Sequence, residues 1–253
     1  MTNQFFWYEL MTSDVEGAKA FYGAVVGWKM AAFGDAHDYS VLEVEGGRGV
    51  GGIMALPEEA RAGGLEPCWV GYVHVADIDA KLAELKAAGG TVHKGPEAIP
   101  TVGRFAVVAD PQGTMFNLLQ PDGPDMPRLD RGTIGKIDWH ELMSTDWESG
   151  YAFYATLFGW SKTTAMDMGP MGSYQLFTMA GNGDDGGMMN GTDGPVPYWM
   201  FYVSVDAADA AVDRIAAHGG TVMMGPHEVP GGAWIVVGRD PQGATFAVVA
   251  PRR

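Results

Sequence analysis

Cysteine and basic residues are both scarce in this sequence. Cys68 is the only cysteine among 253 residues, which excludes an internal disulfide and a cysteine-rich metal site. Lysine and arginine total 16 against 31 aspartates and glutamates, so the net charge is −15. Because phosphate groups would be repelled, this charge argues against nucleic acids and anionic membranes as partners.

Long apolar runs are also absent, and no stretch approaches the roughly 18 unbroken apolar residues of a membrane span. The segment MTNQFFWYEL at the start has no basic region followed by an apolar run, so we expect no signal peptide. With 47% hydrophobic residues, the chain can bury a substantial core. We therefore expect a cytoplasmic monomer or homodimer whose ligand is a small molecule.

An internal repeat organises the chain. ELMTSDVEGAKAFYGAVVGW (9–28) aligns without gaps on ELMSTDWESGYAFYATLFGW (141–160), and ADPQGTMF (109–116) aligns on RDPQGATF (239–246). A linker rich in proline and glycine separates the two copies. The repeat predicts one domain over residues 1–125, a linker over 126–132 and a second domain over 133–253.

Each half contains a fainter second repeat. Residues 5–11 are predicted to form a strand, and Asp14 caps a helix over 15–26. Residues 69–75 are predicted as another strand, and Asp77 caps a helix that runs through residue 88. Short segments rich in β-formers follow each helix. The predicted unit is a strand, a helix and about three strands, and it occurs four times.

These motifs make the chain similar to the vicinal oxygen chelate superfamily. The resemblance lies in AFYGAVVGW, AFYATLFGW and the two DPQG turns, and it covers nearly the whole chain. It implies an α+β fold in which four βαβββ modules pair into two glyoxalase-like domains. Each domain would be an open cup of mainly antiparallel sheet with helices outside. The fold alone does not define a reaction.

The resemblance also implies where a divalent metal ion would bind. In metal-dependent members, His, Gln or Glu side chains from the first and last strands of the modules hold the ion. The matching positions here are Trp7, Val70, Asn117, Trp139, Met200 and Ala247. Only Asn117 carries an oxygen ligand, so we expect no cofactor and a largely lost metal site. A degenerate metal site that uses Glu9, His74 or Asn117 remains an alternative.

One carboxylate stands at the same place in each first strand. Because side chains alternate along a strand, Glu9 shares a face with Trp7 and Met11. The second copy repeats this row with Trp139, Glu141 and Met143. Glu9 and Glu141 should therefore face the cups, where apolar surroundings would raise their pKa and suit them to general acid–base catalysis. The alternative is an internal bond to an arginine, a tyrosine or a backbone amide.

Aromatic side chains are expected to line the same cups. The candidate substrate-binding residues are Trp7, Met11, Tyr72, His74, Asn117, Trp139, Met143 and Tyr202. Aromatic walls around one carboxylate suit a flat organic molecule that is cationic or hydroxylated. Core packing is the alternative for each aromatic residue, and an internally bonded histidine is the alternative for His74.

Two glycine-rich segments match a dinucleotide-binding pattern only formally. GGRGVGG (46–52) and GNGDDG (181–186) do not precede a predicted helix, as a phosphate-binding loop would require. We predict that both are hairpin loops.

Three functional hypotheses follow. The first is a glyoxalase-like protein with Glu9 or Glu141 as acid–base group and little dependence on metal. The second is a non-catalytic binding or sequestration protein, similar to the bleomycin-resistance branch. The third is a metal-dependent lyase or dioxygenase with a degenerate site.

Overall fold

The structure is a computed structural model that describes residues 2–33, 36–124, 127–191 and 197–253, except for the side chains of 36–38. The predicted junction between the first domain and the linker, at residues 125 and 126, lies outside the described residues.

The first half of the chain contains two βαβββ modules. Module 1 consists of β1 (Phe5–Thr12), α1 (Val15–Val25), β2 (Lys29–Phe33), β3 (Ala36–Val44) and β4 (Arg48–Ala55). A short helix, α2 (Glu58–Ala62), leads to module 2. Module 2 consists of β5 (Cys68–His74), α3 (Ile78–Ala87), β6 (Thr91–Ile99), β7 (Gly103–Ala109) and β8 (Met115–Pro121).

The second half repeats this order. Module 3 consists of β9 (Ile137–Ser144), α4 (Trp147–Phe158), β10 (Ser161–Asp167), β11 (Ser173–Thr178) and β12 (Gly186–Asn190). Module 4 consists of β13 (Tyr198–Ser204), α5 (Ala208–Ala217), β14 (Thr221–Glu228), β15 (Trp234–Arg239) and β16 (Thr245–Ala250). The prediction of four βαβββ modules is confirmed. Of the helices in the described ranges, none is long and apolar enough to cross a membrane.

Local sequence sets the helix ends. The side chain of Asp14 accepts a hydrogen bond from the Gly17 amide, and that of Asp77 accepts one from Ala80. Each bond satisfies a backbone donor that the first turn leaves without a partner, so both predicted N-caps are confirmed. The two helices end at residues 25 and 87, one residue earlier than predicted in each case.

The strands form two mixed sheets of eight strands each. Their orders are β2-β3-β4-β1-β5-β8-β7-β6 and β10-β11-β12-β9-β13-β16-β15-β14. Parallel pairing joins β1 to β4 and β5 to β8, whereas the hairpins that follow each helix are antiparallel. This architecture confirms the predicted α+β fold class.

By compactness, the chain divides into two units that do not follow the two halves. Unit 1 contains the described residues of 1–6, 71–128 and 139–199, and unit 2 contains those of 7–70, 129–138 and 200–253. Unit 1 thus combines most of modules 2 and 3, and unit 2 most of modules 1 and 4. The first residues of β1, β5, β9 and β13 belong to the other unit, so Trp69 lies in unit 2 and Trp199 in unit 1. The domain boundaries derived from the repeat stay a prediction.

A buried hydrogen-bond chain joins the two modules of unit 1. The Trp199 indole Nε1 donates to the Tyr154 hydroxyl at 3.0 Å, and that hydroxyl donates to Asp110 Oδ2 at 3.2 Å. Asp110 also accepts the amides of Gln112 and Thr114, which closes the DPQG turn around its carboxylate. The tyrosine of the FY motif in module 3 is therefore fixed to the DPQG turn of module 2.

Unit 2 repeats the same chain with its own residues. Trp69 Nε1 donates to the Tyr22 hydroxyl at 3.0 Å, and Tyr22 donates to Asp240 Oδ2 at 3.0 Å. Burial, with the charge of the neighbouring aspartate as a smaller cause, raises the pKa of Tyr22 and of Tyr154 well above the usual range. Both phenols therefore stay protonated and act as donors. The FY motif and the DPQG turn, which carry the family resemblance, are therefore joined by a hydrogen bond: the tyrosine of one half bonds the aspartate of the other.

Replacing Tyr154 by Phe tests this link. The change removes the donor to Asp110 and the acceptor for Trp199, and it leaves both groups buried without that partner. We expect the free energy of unfolding to fall by about 1–3 kcal/mol, because buried polar groups that lose a partner are costly. Urea unfolding followed by tryptophan fluorescence measures the change.

Tyr151→Phe is the comparison variant, since its hydroxyl donates to the backbone oxygen of Trp160 at a partly buried position. We expect it to cost less than Tyr154→Phe. Equal effects of the two substitutions would contradict a special role for the buried chain.

Candidate functional site

The two predicted carboxylate rows lie on the less buried faces of their strands. In β9, the side chains of His140, Leu142 and Ser144 are buried, whereas those of Trp139 and Glu141 are only partly buried. In β1 the same alternation holds, except that the carboxylate is buried as well. Only 7% of Glu9 is exposed.

A tyrosine holds the carboxylate of Glu141 within unit 1. The Tyr174 hydroxyl donates to Glu141 Oε2 at 2.8 Å, and the Trp139 indole Nε1 donates to the same hydroxyl at 2.9 Å. Tyr174 is a buried residue of β11. Trp139 and Met143 pack against the hydrophobic cluster to which Tyr174 belongs. We call Trp139, Tyr174 and Glu141 the Glu141 cluster.

Unit 2 contains the equivalent arrangement. Trp7 Nε1 donates to the Tyr39 hydroxyl at 3.0 Å, and the side chains of Tyr39 and Glu9 are hydrogen-bonded. We call these three residues the Glu9 cluster. The structure thus brings together two predicted residues of each row and adds a tyrosine. The sequence analysis named an internal bond to a tyrosine as the alternative for these glutamates, and this bond is present, but it did not identify Tyr39 or Tyr174.

Both tyrosines are donors of fixed protonation state. Burial raises the pKa of Tyr39 and of Tyr174, and the charge of the adjacent glutamate raises it further to a smaller extent. A phenol with a raised pKa stays neutral at physiological pH, so it keeps donating its proton to the carboxylate.

Glycine makes room for each tyrosine. Gly52 in β4 is paired with Glu9 of β1, and Gly187 in β12 is paired with Glu141 of β9. A Cβ atom at Gly52 would overlap the Tyr39 ring and hydroxyl, and one at Gly187 would overlap those of Tyr174. The ring of Tyr39 therefore passes over β4 at Gly52 to reach Glu9, and the ring of Tyr174 passes over β12 at Gly187 to reach Glu141.

This geometry corrects the interpretation of the glycine-rich segments. The prediction that they are entirely hairpin loops is wrong, because β4 begins at Arg48 and contains three glycines of the first segment, and Gly186 begins β12. Glycines inside a strand mark a close approach of another group, and here that group is an aromatic ring in each unit.

A third group in each unit responds to the glutamate charge, and it differs between the units. Cys68 begins β5 and Tyr198 begins β13, so the two occupy equivalent positions. Burial, and to a smaller extent the charge of Glu9, raises the pKa of Cys68 to about 11. Burial and the charge of Glu141 raise the pKa of Tyr198 in the same way.

The remaining predicted residues lie on the β5–β8 and β13–β16 pairs. Tyr72 is opposite Asn117, and Tyr202 is opposite Ala247. The Asn117 side chain is 4% exposed, and within the described ranges its Oδ1 has no hydrogen-bond partner. The His74 ring meets Phe6 edge-on at 5.5 Å between centroids. Roles for these residues stay predictions.

The donors at the matched positions do not fit the family's metal ion. Indole, aliphatic and thioether side chains occupy these positions except at Asn117, and hard divalent ions take oxygen and imidazole ligands. Across the part of the chain that the structure describes, no three or more His, Cys, Asp or Glu side chains are grouped so that they could hold a metal.

Tyr39 and Tyr174 could have been found from the repeat. YSVLEV (39–44) and YQLFTM (174–179) follow the two aligned FY…GW segments and begin with the same residue. A repeated tyrosine on the strand after a repeated carboxylate strand was the available signal.

Paired βαβββ modules in two mixed sheets define a glyoxalase-like fold. A model of the Glyoxalase/Bleomycin resistance protein/Dioxygenase superfamily matches residues 4–118 and 136–248, and the chain belongs to this superfamily. The predicted family resemblance is confirmed.

Relatives of similar length support this assignment. The chain is 32% identical over 256 residues to the putative glyoxylase CFP32 of Mycobacterium bovis, covering 97% of this chain and 94% of the relative. It is 28% identical to the anthracycline biosynthesis protein DauV of a Streptomyces species, covering 97% and 92%. The Mn(II)-bound glyoxalase of Novosphingobium aromaticivorans has the same fold, with a TM-score of 0.69, 16% identity and coverage of 99% and 82%.

Replacing Gly52 or Gly187 by alanine tests whether the tyrosine of each cluster needs the space above these glycines. We expect Gly187→Ala to displace Tyr174 and to lower the free energy of unfolding by about 1–3 kcal/mol, as overpacking of a filled site does. Gly52→Ala should do the same through Tyr39. Urea unfolding and the near-ultraviolet circular dichroism of the aromatic residues report both effects.

Gly123→Ala is the matched control, because a Cβ atom at Gly123 meets no atom within 4 Å. If Gly187→Ala lowers the free energy of unfolding no more than Gly123→Ala does, the position of Tyr174 does not depend on the space at Gly187.

The thiol of Cys68 provides a second test. Its raised pKa of about 11, against 9.0 for an unperturbed thiol, makes the thiolate fraction at pH 8 roughly a hundredfold lower. We expect alkylation by iodoacetamide to be slow at pH 8 and to rise steeply towards pH 11. Glu9→Gln should raise the rate at pH 8 only in part, since burial is the larger cause. A rate equal to that of the urea-unfolded chain would contradict the assignment.

Proposed function

We propose that this protein acts on a small organic molecule, with the carboxylate of Glu9 or Glu141 as the acid–base group. One observation carries the proposal. The same Trp–Tyr–Glu chain occurs at matching positions in both units, on strand faces where the neighbouring aromatic side chains are only partly buried. A hydrogen-bonded carboxylate beside aromatic walls is the type of site that orients and deprotonates a flat substrate.

Each residue of the cluster then has a role. The tyrosine donates to one carboxylate oxygen and orients the side chain, so it is a positioning residue. A carboxylate has a second oxygen, which can take a proton from a substrate carbon or hydroxyl and return it to another atom. The tryptophan indole bonds the tyrosine and offers its ring as a wall for the substrate.

We further propose that this chemistry does not require the family's divalent ion. The support is the chemistry of the donors, since five of the six matched positions carry side chains that do not ligate such ions. The names of the relatives, a putative glyoxylase and an anthracycline biosynthesis protein, agree with a small organic ligand. A cytoplasmic monomer or homodimer remains part of this proposal.

A non-catalytic binding protein is the second candidate. The observation that favours it is the tyrosine bond itself, because a carboxylate already held by a neutral phenol can serve as a fixed anchor for a ligand. In this case the cluster would bind a molecule of the same chemical class without converting it.

Glutamate-to-glutamine substitutions separate the two candidates. The wild type is incubated in deuterated buffer containing a chelator, with a panel of small carbonyl compounds and hydroxylated aromatic compounds, and mass spectrometry follows product formation and solvent deuterium. For a substrate found in this way, we expect Glu141→Gln or Glu9→Gln to lower turnover about 10²–10⁴-fold, because a general base contributes that much. For the uncharged compounds of this panel the dissociation constant should change less than about threefold, since glutamine keeps the shape of the side chain and no positive charge of the ligand loses its partner.

Other outcomes overturn the proposal in defined ways. Binding by the wild type without turnover or deuterium incorporation, both in chelator and in parallel incubations without chelator, would establish the binding protein instead. Loss of turnover in chelator, together with one divalent metal per chain in elemental analysis before chelation, would establish a metal-dependent lyase or dioxygenase.

A further inference from the structure

The two clusters have diverged in the exposure of their carboxylates. Glu9 is 7% exposed and counts among the buried residues, whereas Glu141 is partly exposed. The first residue of the neighbouring strand in the sheet, β5 or β13, is also more exposed beside Glu141 than beside Glu9. Cys68 is a partly buried thiol, and Tyr198 is a phenol that is 36% exposed. The Glu141 cluster is therefore the one that a molecule in solution can reach through its carboxylate.

Methionine side chains surround the Glu141 cluster. Tyr174 belongs to a buried hydrophobic cluster, against which partly buried side chains pack. The buried members are Tyr174, Leu176 and Met189, and the partly buried ones are Trp139, Met143, Met166 and Met168. Met171, which follows shortly in the chain, is 48% exposed. Thioethers are flexible and polarisable, and they make favourable contacts with aromatic rings of varied shape.

The polar groups at this surface select by charge. Glu141 accepts the hydrogen bond of Tyr174, and after burial its negative charge is the second cause that raises the pKa of the Tyr198 phenol. The net charge of −15 adds a long-range attraction for cations and a repulsion for anions. An aromatic cation would gain from both the sulfur-rich wall and the carboxylate, whereas an aromatic anion of equal size would lose at the carboxylate.

We propose that the Glu141 cluster, and not the Glu9 cluster, is the ligand-binding site, and that it takes a planar aromatic cation. This inference rests on the proposed function and specifies its ligand class. The ring system lies against Trp139 and the methionine side chains, and the positively charged group faces Glu141. Tyr198 contributes a hydroxyl that the Cys68 position of the other unit does not have.

Methyl NMR of the full wild-type chain locates the binding site. The methionine methyl groups are labelled with ¹³C and assigned by single Met→Leu variants. The probe is 9-aminoacridine, a planar aromatic cation, and its matched anion is 9-anthracenecarboxylate. We expect the cation to shift the methyl signals of Met143, Met166, Met168 and Met189 through its ring current. The equivalent pair in unit 2, Met11 and Met54, should stay unshifted.

Fluorescence titration with the same probes measures the charge dependence. We expect Glu141→Gln to weaken 9-aminoacridine binding at least tenfold and Tyr198→Cys to weaken it about threefold. Glu148→Gln removes one exposed charge from the same unit outside the cluster and should bind as the wild type does. The anionic probe should bind at least tenfold more weakly than the cation.

Several results would overturn this inference. In the NMR experiment, these are signal shifts at Met11 and Met54 in place of the unit 1 methyl groups. In the titrations, they are no binding of 9-aminoacridine by the wild type, equal affinity for the two probes, or an unchanged affinity of Glu141→Gln for 9-aminoacridine. The mapping uses the wild-type chain, so it does not depend on a variant that folds. If the probe maps to the Glu141 cluster while no substrate shows turnover or deuterium incorporation, the acid–base proposal fails and the ligand assignment stands.

Discussion

A neutral tyrosine donating to a carboxylate is the interaction on which the rest of the structure depends. Among the residues that the structure describes it occurs four times, and each time a tryptophan indole is part of the same arrangement. In the two buried copies, Tyr22 and Tyr154 join the helix of one module to the DPQG turn of another. Burial keeps these phenols protonated, so the bond is a stable donor–acceptor pair.

The same interaction has two different settings. Asp110 is 3% exposed and accepts two backbone amides of its own turn as well as the phenol of Tyr154, which is the environment of a structural carboxylate. Glu141 lies on a partly exposed strand face beside flexible thioethers. The same hydrogen-bond pattern therefore serves as a structural link between helix and turn in one setting and forms the candidate site on the strand face in the other.

The parts of the fold that depend on local chemistry could be predicted. Asp14 and Asp77 cap their helices because the bonded amide lies three residues further along. The strand alternation placed Glu9 and Glu141 in the same rows as Trp7 and Trp139, since a strand has a fixed period of two. The glycine segments were mispredicted because Gly52 and Gly186 make room for an aromatic ring of a neighbouring strand, Tyr39 and Phe177 respectively, and their own sequence neighbours do not indicate it.

The amino-acid sequence by itself determined the four βαβββ modules, the superfamily resemblance and the repeated carboxylates, because these depend on periodicity, caps and motifs close together in the chain. Only the tertiary structure decided that Tyr39 and Tyr174 hold those carboxylates, and that each compact unit combines modules from different halves. The physical reason is that strand pairing and side-chain contacts join residues far apart in the chain. Their partners are selected by the packing of the whole sheet, which no single segment encodes.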